Sequence, residues 1–390
     1  MKRLIALVLV LCMSFSMVAC SSEDASNEKA VGTGETEFEK EVLEPEGEIE
    51  IPSFKIAFGY GNYEDKLGQQ FTNCMKYLAD AFGCEIILYE SGRGEEAVSN
   101  LETILTKGDI DGVIMVGGVD AARMEVASKY NVPVIAACTF LSSATELDAV
   151  TAYDNFLGGV VDNDIWAGVR CIEALYNAGS RNICYSGLMA GISQACDERA
   201  AGVGTVAAKY DDLNVLAESF TIMDYAGDIA TFNASFPEMD GIGYAAMSDS
   251  IFTALEAEGL ADGSVKVAGI DITSQTGTYL EKGVQVWACG GQYASAMVGF
   301  AVLYSYLADG TRIIKNNREP INRKYIEVNS YEEFEKYTKY IEASIPVYTA
   351  QEIKDMIPYF TPGVTIDDYI KDADVYSLDD VIARHGDIIR

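Results

Sequence analysis

Histidine is almost absent: the 390 residues hold one, His385, near the carboxyl end. A histidine-bearing metal cluster in the body of the chain is thereby excluded, and a serine or cysteine nucleophile there lacks its usual base. No CxxC pair, no GxSxG elbow and no GxxxxGK[ST] loop occurs either. A thiol redox motif, a hydrolase nucleophile and a phosphate-cradling loop therefore have no support. Positive charge is scarce, with 28 Lys and Arg against 60 Asp and Glu and a net charge of -32. Such a surface repels nucleic acid and anionic headgroups, so no nucleic-acid partner is expected. "GYGNYE" has two glycines of a dinucleotide fingerprint, but Glu64 stands where the third would be, which argues against an oxidoreductase. No cofactor and no metal are expected, and an enzyme is the least favoured class.

What the chain does have begins with its first fifty residues. Lys2 and Arg3 precede the run "LIALVLVLCMSFSMVA", too short to span a bilayer comfortably but suited to an export signal. "Met17-Val18-Ala19-Cys20" resembles the bacterial lipobox, which implies lipidation of Cys20 after cleavage before it. An ordinary secretory signal with an incidental cysteine is the alternative. The following stretch, 20–50, is rich in carboxylates and poor in apolar residues, and reads as a solvated tether that cannot fold alone. The folded part is expected to start near Ile51.

Beyond Phe54 the pattern is strand, loop, helix, repeated. "FKIAF", "EIILY", "DGVIMVGG" and "VPVIAA" are continuous apolar runs of the kind parallel strands need when both faces are covered. Between the first two, Leu67, Phe71, Met75, Leu78 and Phe82 form one helical stripe that Gly83 stops. After Asp154 the alternation restarts with "NICYSG", "NVLAESF", "GIGYAAM", "VKVAGID" and "GVQVWAC". The expected fold is α/β, two successive doubly wound parallel sheets. "SYEE" at 330, "TAQE" at 349, "TIDD" at 365 and "SLDD" at 377 resemble capping boxes, so the last sixty or so residues are expected to be short helices. Cys74, Cys84, Cys138, Cys171, Cys184, Cys196 and Cys289 are odd in number and sit in apolar patterns, which points to free thiols rather than a disulfide framework.

Ligands of open α/β sheets bind beyond the carboxyl ends of the strands. The residues placed there by the pattern are Tyr60, Asn62 and Tyr63, then Cys138, Thr139 and Phe140, then Asp154 and Asn155. Gly117, Gly118 and Asp120 belong to the same set in the first half, and Ser186, Gln194, Met247, Ser248, Asp249, Asp271 and Gln292 in the second. Hydroxyl, amide, carboxylate and aromatic groups in that mixture suit a neutral polyol.

Several of these segments resemble the type I periplasmic binding proteins, in particular the ribose- and galactose-type sugar binders. The blocks are "DIDGVIMVGGVD" with "NVPVIAAC", "AYDNFLGG", "DERAAGV", "VAGIDITSQTGTYLEKG" and "GGQYASAMVGFAVLY", in order from about Lys55 to Leu307. The resemblance implies two flavodoxin-like lobes joined by a three-strand hinge, a ligand in the cleft between them, and delivery to the permease subunits of an ABC importer. In Gram-positive bacteria such proteins are lipoproteins, in keeping with Cys20 as a lipid anchor to the outer face of the cytoplasmic membrane. On this basis 1–19 is a signal peptide and 20–50 the tether. Residues 51–153 with about 293–324 make the first lobe, 154–292 the second, and 325–390 a hinge return with a helical extension. The ligand is expected to be a small polar molecule, in the first instance a monosaccharide. A ligand sensor for a membrane receptor kinase would need the same cleft and stays open as the alternative. A repressor of this fold would carry a DNA-binding helix-turn-helix in place of the signal and tether.

Departures from the family pattern fall in the site. Cys138 and Thr139 stand where sugar binders carry Asp and Arg, Asp197 where an arginine is frequent, and Met247 and Ser248 where Asn and Asp are frequent. Asp271 matches the family's hydroxyl-binding aspartate, and is read either as a ligand contact or as a helix cap or solvent-exposed carboxylate. Asp154 and Asn155 are read as an N-cap at the hinge or as ligand contacts. Tyr60 and Tyr63 either stack on the ligand or pack on the lobe. Arg199 is read as half of a structural ion pair, Phe140 and Trp287 as core or hinge residues, and Cys138 as a cleft residue or a small buried hydrophobe.

Overall fold

A computed structural model of the protein describes residues 37–44 and 49–389. The export signal and Cys20 lie outside the described residues.

The apolar runs form short strands because each is covered on both faces; every residue of 113–116 and 134–138 is buried. In the first lobe these are β1 (Lys55–Tyr60), β2 (Glu85–Glu90), β3 (Gly112–Val116), β4 (Val134–Cys138) and β5 (Phe156–Asp162). The intervening helices are α1 (Lys66–Phe82), α2 (Glu95–Lys107), α3 (Ala121–Lys129) and α4 (Leu147–Thr151). The stripe read from the sequence is the buried face of α1, with Phe71, Met75, Leu78 and Phe82 at 1% exposure or less. Asp65 caps its start, and Gly83 ends it at φ 64°.

The second lobe follows with α5 (Asp164–Asn177), β6 (Asn182–Leu188), α6 (Gln194–Ala207), β7 (Asn214–Thr221) and α7 (Tyr225–Ser235). It continues through β8 (Gly241–Tyr244), α8 (Asp249–Ala257), β9 (Lys266–Ile270), α9 (Thr276–Glu281) and β10 (Gln285–Gly290). The chain then returns with α10 (Tyr293–Asp309), which lies on β3, β4 and β5, and β11 (Ile321–Arg323). It crosses once more into β12 (Ile326–Val328) and ends in α11 (Tyr331–Tyr340), α12 (Ala350–Asp355), α13 (Ile366–Val375) and α14 (Leu378–His385).

The strand orders are β11-β5-β4-β3-β1-β2 and β12-β10-β9-β8-β6-β7. Counted from its own first strand, each lobe has the flavodoxin order 2-1-3-4-5. All neighbours are parallel except β12, which runs antiparallel to β10. Three crossovers join the lobes, and they are tied to one another. The Asn163 amide of the first donates to the Arg323 carbonyl of the third at 2.8 Å. Ser295, just past the second, donates to Asp162 of the first at 2.7 Å.

The structure corrects the sequence reading in two places. An N-cap at Asp154 and Asn155 would make "FLGGVVD" the start of a helix, but it is β5, a strand of the first sheet. Gly158 sits at φ 102°, where a Cβ would come within 2.9 Å of Ile314, and the β-branched Val160 and Val161 favour the strand. The second lobe therefore starts at the Asn163 cap of α5 rather than at 154, and the first hinge segment moves with it. The second correction concerns the tether. Residues 37–44 are docked: Leu43 is 7% exposed, and the Glu41 carboxylate accepts the amides of Ala350 at 2.8 Å and Gln351 at 3.0 Å. At the other end of the chain, Ser330, Thr349, Thr365 and Ser377 are each the N-cap of a helix, with full capping boxes at Thr349 and Thr365.

The seven described cysteines are free thiols, and all but Cys84 are buried. No helix among the described residues is long and apolar enough to cross a membrane.

Candidate ligand-binding site

The fourth strand of each lobe ends in the same unusual way. β4 closes on Cys138 at φ 63°, and β9 is followed by Asp271 at φ 81°. A non-glycine residue in the left-handed region costs roughly 1–2 kcal/mol, so the surroundings must hold it there. Both are held by one residue of the second crossover, Gln292. Its Nε2 donates to Asp271 Oδ1 at 2.6 Å, and its carbonyl accepts the Cys138 thiol at 3.4 Å.

Asp271 is half-buried. Burial pushes its carboxyl above the ordinary range; the Arg199 guanidinium and the Gln292 amide pull it back, while Asp164 and Asp65 push it further up. It caps no helix, because α9 starts five residues later behind Gln275. Among the readings of Asp271, the cap falls away.

Close packing of α5 and α6 sets Arg199 in place. A Cβ on Gly168 would lie 2.0 Å from the Arg199 carbonyl, so only glycine admits this approach. The buried guanidinium donates to Asp164 Oδ1 (2.7 Å), the Ala245 carbonyl (2.7 Å) and the Tyr325 hydroxyl (2.9 Å). Tyr325 donates in turn to Asp164 at 2.6 Å. Arg199 is thus a structural ion pair that also lends its field to Asp271.

Across the cleft, Tyr60 packs edge-on against Phe71 with centroids 4.9 Å apart, and its hydroxyl donates to Asp65 at 3.3 Å. Burial raises the pKa of this phenol, and Asp65 and Asp271 raise it further, which places the hydroxyl in the field of both carboxylates. Beside Cys138, Thr139 is half-buried and folds back so that its amide meets the Ala137 carbonyl at 2.7 Å. Phe140 is core, lying against Gly159 and tilted against the ring of Phe156. The next residue bridges the lobes: the Leu141 amide donates to Gln194 Oε1 at 3.0 Å.

Other expected contacts are occupied elsewhere. The Tyr63 hydroxyl donates to the Phe58 carbonyl at 2.7 Å, with that of Tyr89 at 3.2 Å, so its ring packs on the lobe. Asn62 closes a turn onto the Glu64 amide at 2.9 Å. Ser248 is the N-cap of α8. Asp249 ties down the next loop through Ser274 at 2.7 Å and the Gln275 amide at 3.2 Å. Asp154 and Asn155 are corrections: they precede β5, at the opposite edge of the sheet from the strand ends that face the cleft. Asp154 is exposed, and the Asn155 amide donates to the Val132 carbonyl at 2.7 Å.

Two features of the cleft escaped the sequence. Tyr225 follows β7, so the rule of looking past each strand could have found it. Its buried hydroxyl donates to the Ala246 carbonyl at 2.9 Å, and its pKa is raised by burial and then by Asp271. Asp162 ends the strand that was misread. Burial pushes its carboxyl up to about 8 against the Ser295 hydroxyl, so it holds its proton at neutral pH.

The groups that lie together at these strand ends are Tyr60 and Cys138 from the first lobe, with Thr139 next in the chain, Asp271 and Tyr225 from the second, and Gln292 between them. They are hydroxyls, an amide and a carboxylate beside an aromatic ring, and they make the candidate site. A separate groove of about 450 Å³ lies against the start of β10 and the end of α5, away from these strand ends. No group of three or more metal-ligating side chains occurs among the described residues.

No protein-family model matches the chain, and no curated protein matches it. Solved structures do. A solute-binding protein of an ABC transporter from Actinobacillus succinogenes with bound D-allose is 18% identical, with a TM-score of 0.61 over 73% of this chain and 99% of that one. One from Bacillus halodurans with bound myo-inositol is 20% identical, with a TM-score of 0.59 over 74% and 99%. One from Agrobacterium vitis bound with α-D-tagatopyranose is 18% identical, with a TM-score of 0.59 over 71% and 94%. About a quarter of this chain lies outside each likeness, whereas the other proteins are covered almost whole. The chain has the two-lobed fold of the ABC-transporter solute-binding proteins.

Proposed function

We propose that the protein is an extracytoplasmic solute-binding lipoprotein that captures a small polar ligand, a monosaccharide, between its lobes and delivers it to an ABC importer. The observation that supports this reading is the junction at Gln292, where one crossover residue is hydrogen-bonded to the residues at the ends of the fourth strands of both lobes, Cys138 and Asp271. A carboxylate so placed can accept two sugar hydroxyls at once, and such charge-assisted bonds are the stronger kind. Tyr60 supplies a ring face for the apolar side of a pyranose. The solved structures of this fold hold allose, inositol and tagatose, which supports the choice of ligand class.

The permease is the partner this reading requires, and the lipid on Cys20 holds the protein at the outer face of the membrane. Two or three acyl chains anchor stably where one binds marginally.

The test is to denature freshly purified protein and identify any released small molecule by mass spectrometry, followed by a thermal-shift panel of sugars, nucleosides and amino acids. A ligand at a thousand times its Kd adds about 4 kcal/mol. A sugar that raises the melting temperature in proportion supports the reading. Stabilisation by nucleosides or amino acids alone overturns it. For the anchor, Cys20→Ala is expected to release the protein from cells or leave it uncut, and unchanged retention and processing contradicts that.

A further inference from the structure

The helices after β12 pack on both lobes. α11 lies on α9 of the second, where Gly277 makes room for Phe334; a Cβ there would come within 2.3 Å of the ring. α12 lies on α1 and α10, and α13 on β11, all of the first lobe. One buried apolar cluster runs from Phe58 and Phe82 through Tyr293 to Tyr337 and Tyr376 of the extension, and on to Ile326 of the second lobe.

Between the lobes the extension meets the crossover 290–293 almost residue by residue. The Tyr337 hydroxyl lies over Gly290, where a Cβ would stand 2.6 Å from it. Tyr376 donates its hydroxyl to the Gly291 carbonyl at 3.0 Å. Tyr293 donates to the Ile341 carbonyl at 2.9 Å and accepts the Val347 amide at 3.2 Å. At the third crossover the fully buried Arg323 donates to Tyr348 and Asp372. The crossover residue left to face the site is Gln292.

We infer that the carboxyl-terminal extension is a clamp on the hinge that positions Gln292, and through it Asp271, for the ligand. This rests on the reading of the cleft as the ligand site. Gly290 and Gly291 give the crossover intrinsic freedom, and Gly291 uses it at φ 83°. A glutamine side chain on such a peptide loses up to ~2 kcal/mol of rotamer entropy when a ligand fixes it. The clamp meets that cost at folding, so the site is ordered before the ligand arrives. Tyr376 is therefore a positioning residue: it does not touch the ligand but fixes the residue that orients Asp271.

The experiment compares Tyr376→Phe with Tyr369→Phe in the full chain. Both remove one buried tyrosine hydroxyl bonded to a backbone carbonyl, but Tyr369 bonds Met356, away from the crossover. Affinity is measured by calorimetry with D-allose, myo-inositol and L-arabinose as probes. Tyr376→Phe is expected to weaken binding about threefold to tenfold, the worth of one hydrogen bond, and Tyr369→Phe to leave it unchanged at a similar loss of melting temperature. In a Gln292→Leu background, Tyr376→Phe should weaken binding no further. Equal affinity for Tyr376→Phe and wild type, or equal loss in both tyrosine variants, overturns the inference. Amide exchange over 288–295 gives a readout without ligand, and it should quicken in Tyr376→Phe alone. If none of the three probes binds, that exchange decides the clamp, and the failure belongs to the proposed ligand class.

Discussion

The two lobes share a strand order and a left-handed residue at the end of the fourth strand, yet they bring opposite chemistry to the cleft. The first lobe ends that strand in a thiol, Cys138, beside the aromatic Tyr60. The second ends it in a carboxylate, Asp271, supported by Arg199. The first lobe has its own aspartate at a strand end, Asp162, but it is 5% exposed and buried against Ser295. A repeated fold thus fixes where the backbone turns, while the side chain at the turn decides which lobe supplies charge and which supplies a surface. On the proposed function, closing the cleft would set the Tyr60 ring against the Asp271 carboxylate, which suits a ring with an apolar face and a hydroxyl rim.

The strongest way to probe this asymmetry is through the carboxyl that the first lobe withholds. Burial pushes the Asp162 carboxyl up to about 8 in the folded protein, from 3.8 for the free side chain. Between those values the native state keeps a proton that the unfolded chain has lost. Its contribution is fully present below the lower value, falls as pH rises, and is gone above about 8. The slope is about 1.4 kcal/mol per pH unit. Asp162→Asn keeps an acceptor for Ser295 and lacks the slope, so its stability should overtake that of the wild type progressively toward pH 8. Urea denaturation at pH 5, 6.5 and 8 checks this. Parallel curves for the two proteins would show Asp162 to be ionised at neutral pH and the lobes less different than described.

The second lobe's carboxylate gives the next largest effect. Asp271→Asn tolerates the left-handed backbone and can still meet Gln292, but it removes the charge. Charge-assisted bonds are worth roughly 1.5 to 3 kcal/mol, so affinity should fall about tenfold to a hundredfold with little change in apo melting temperature. Asn155→Ala is the counterpart at the far edge of the first sheet. It loses the bond to Val132 and should cost about 1 kcal/mol of stability with affinity intact. If Asn155→Ala weakened binding as much as Asp271→Asn, the edges of the sheets would be wrongly assigned.

The asymmetry was only partly legible in the sequence, for physical reasons. Strands such as 113–116 announce themselves because a buried parallel strand has to be apolar throughout, and Asp271 is visible as a carboxylate directly after one. β5 is apolar too, but its paired glycines and the Asn163 cap behind it fit a helix start equally well, which hid Asp162. β11 and β12 are three residues each, too short to carry a period. The docked segment 37–44 was hidden because its partner is distant: Glu41 is held by amides at 350 and 351, and no local pattern encodes that pairing. The helical extension, in contrast, declared itself through four N-caps, since capping is local chemistry.

The smallest expected effect is at Cys138, and it tests whether the first lobe contributes a surface rather than a functional group. Burial raises the pKa of this thiol well above its usual value, with Asp162 adding to the shift, so it stays a neutral donor to the Gln292 carbonyl. Cys138→Ser retains a donor of similar shape at the same left-handed backbone. Hydroxyl for thiol shortens the side chain slightly and adds a polar atom in a buried place, which costs stability on the order of 1 kcal/mol. The bond to Gln292 persists, so Asp271 stays in position and affinity should remain within about threefold of wild type, below the worth of one hydrogen bond. Alkylation under native conditions adds an independent view: a protonated, buried thiol should react far more slowly than the partly exposed Cys84. A tenfold loss of affinity in Cys138→Ser with melting temperature unchanged would make the thiol a direct ligand group, and the two lobes would then share the recognition that is assigned here to the second.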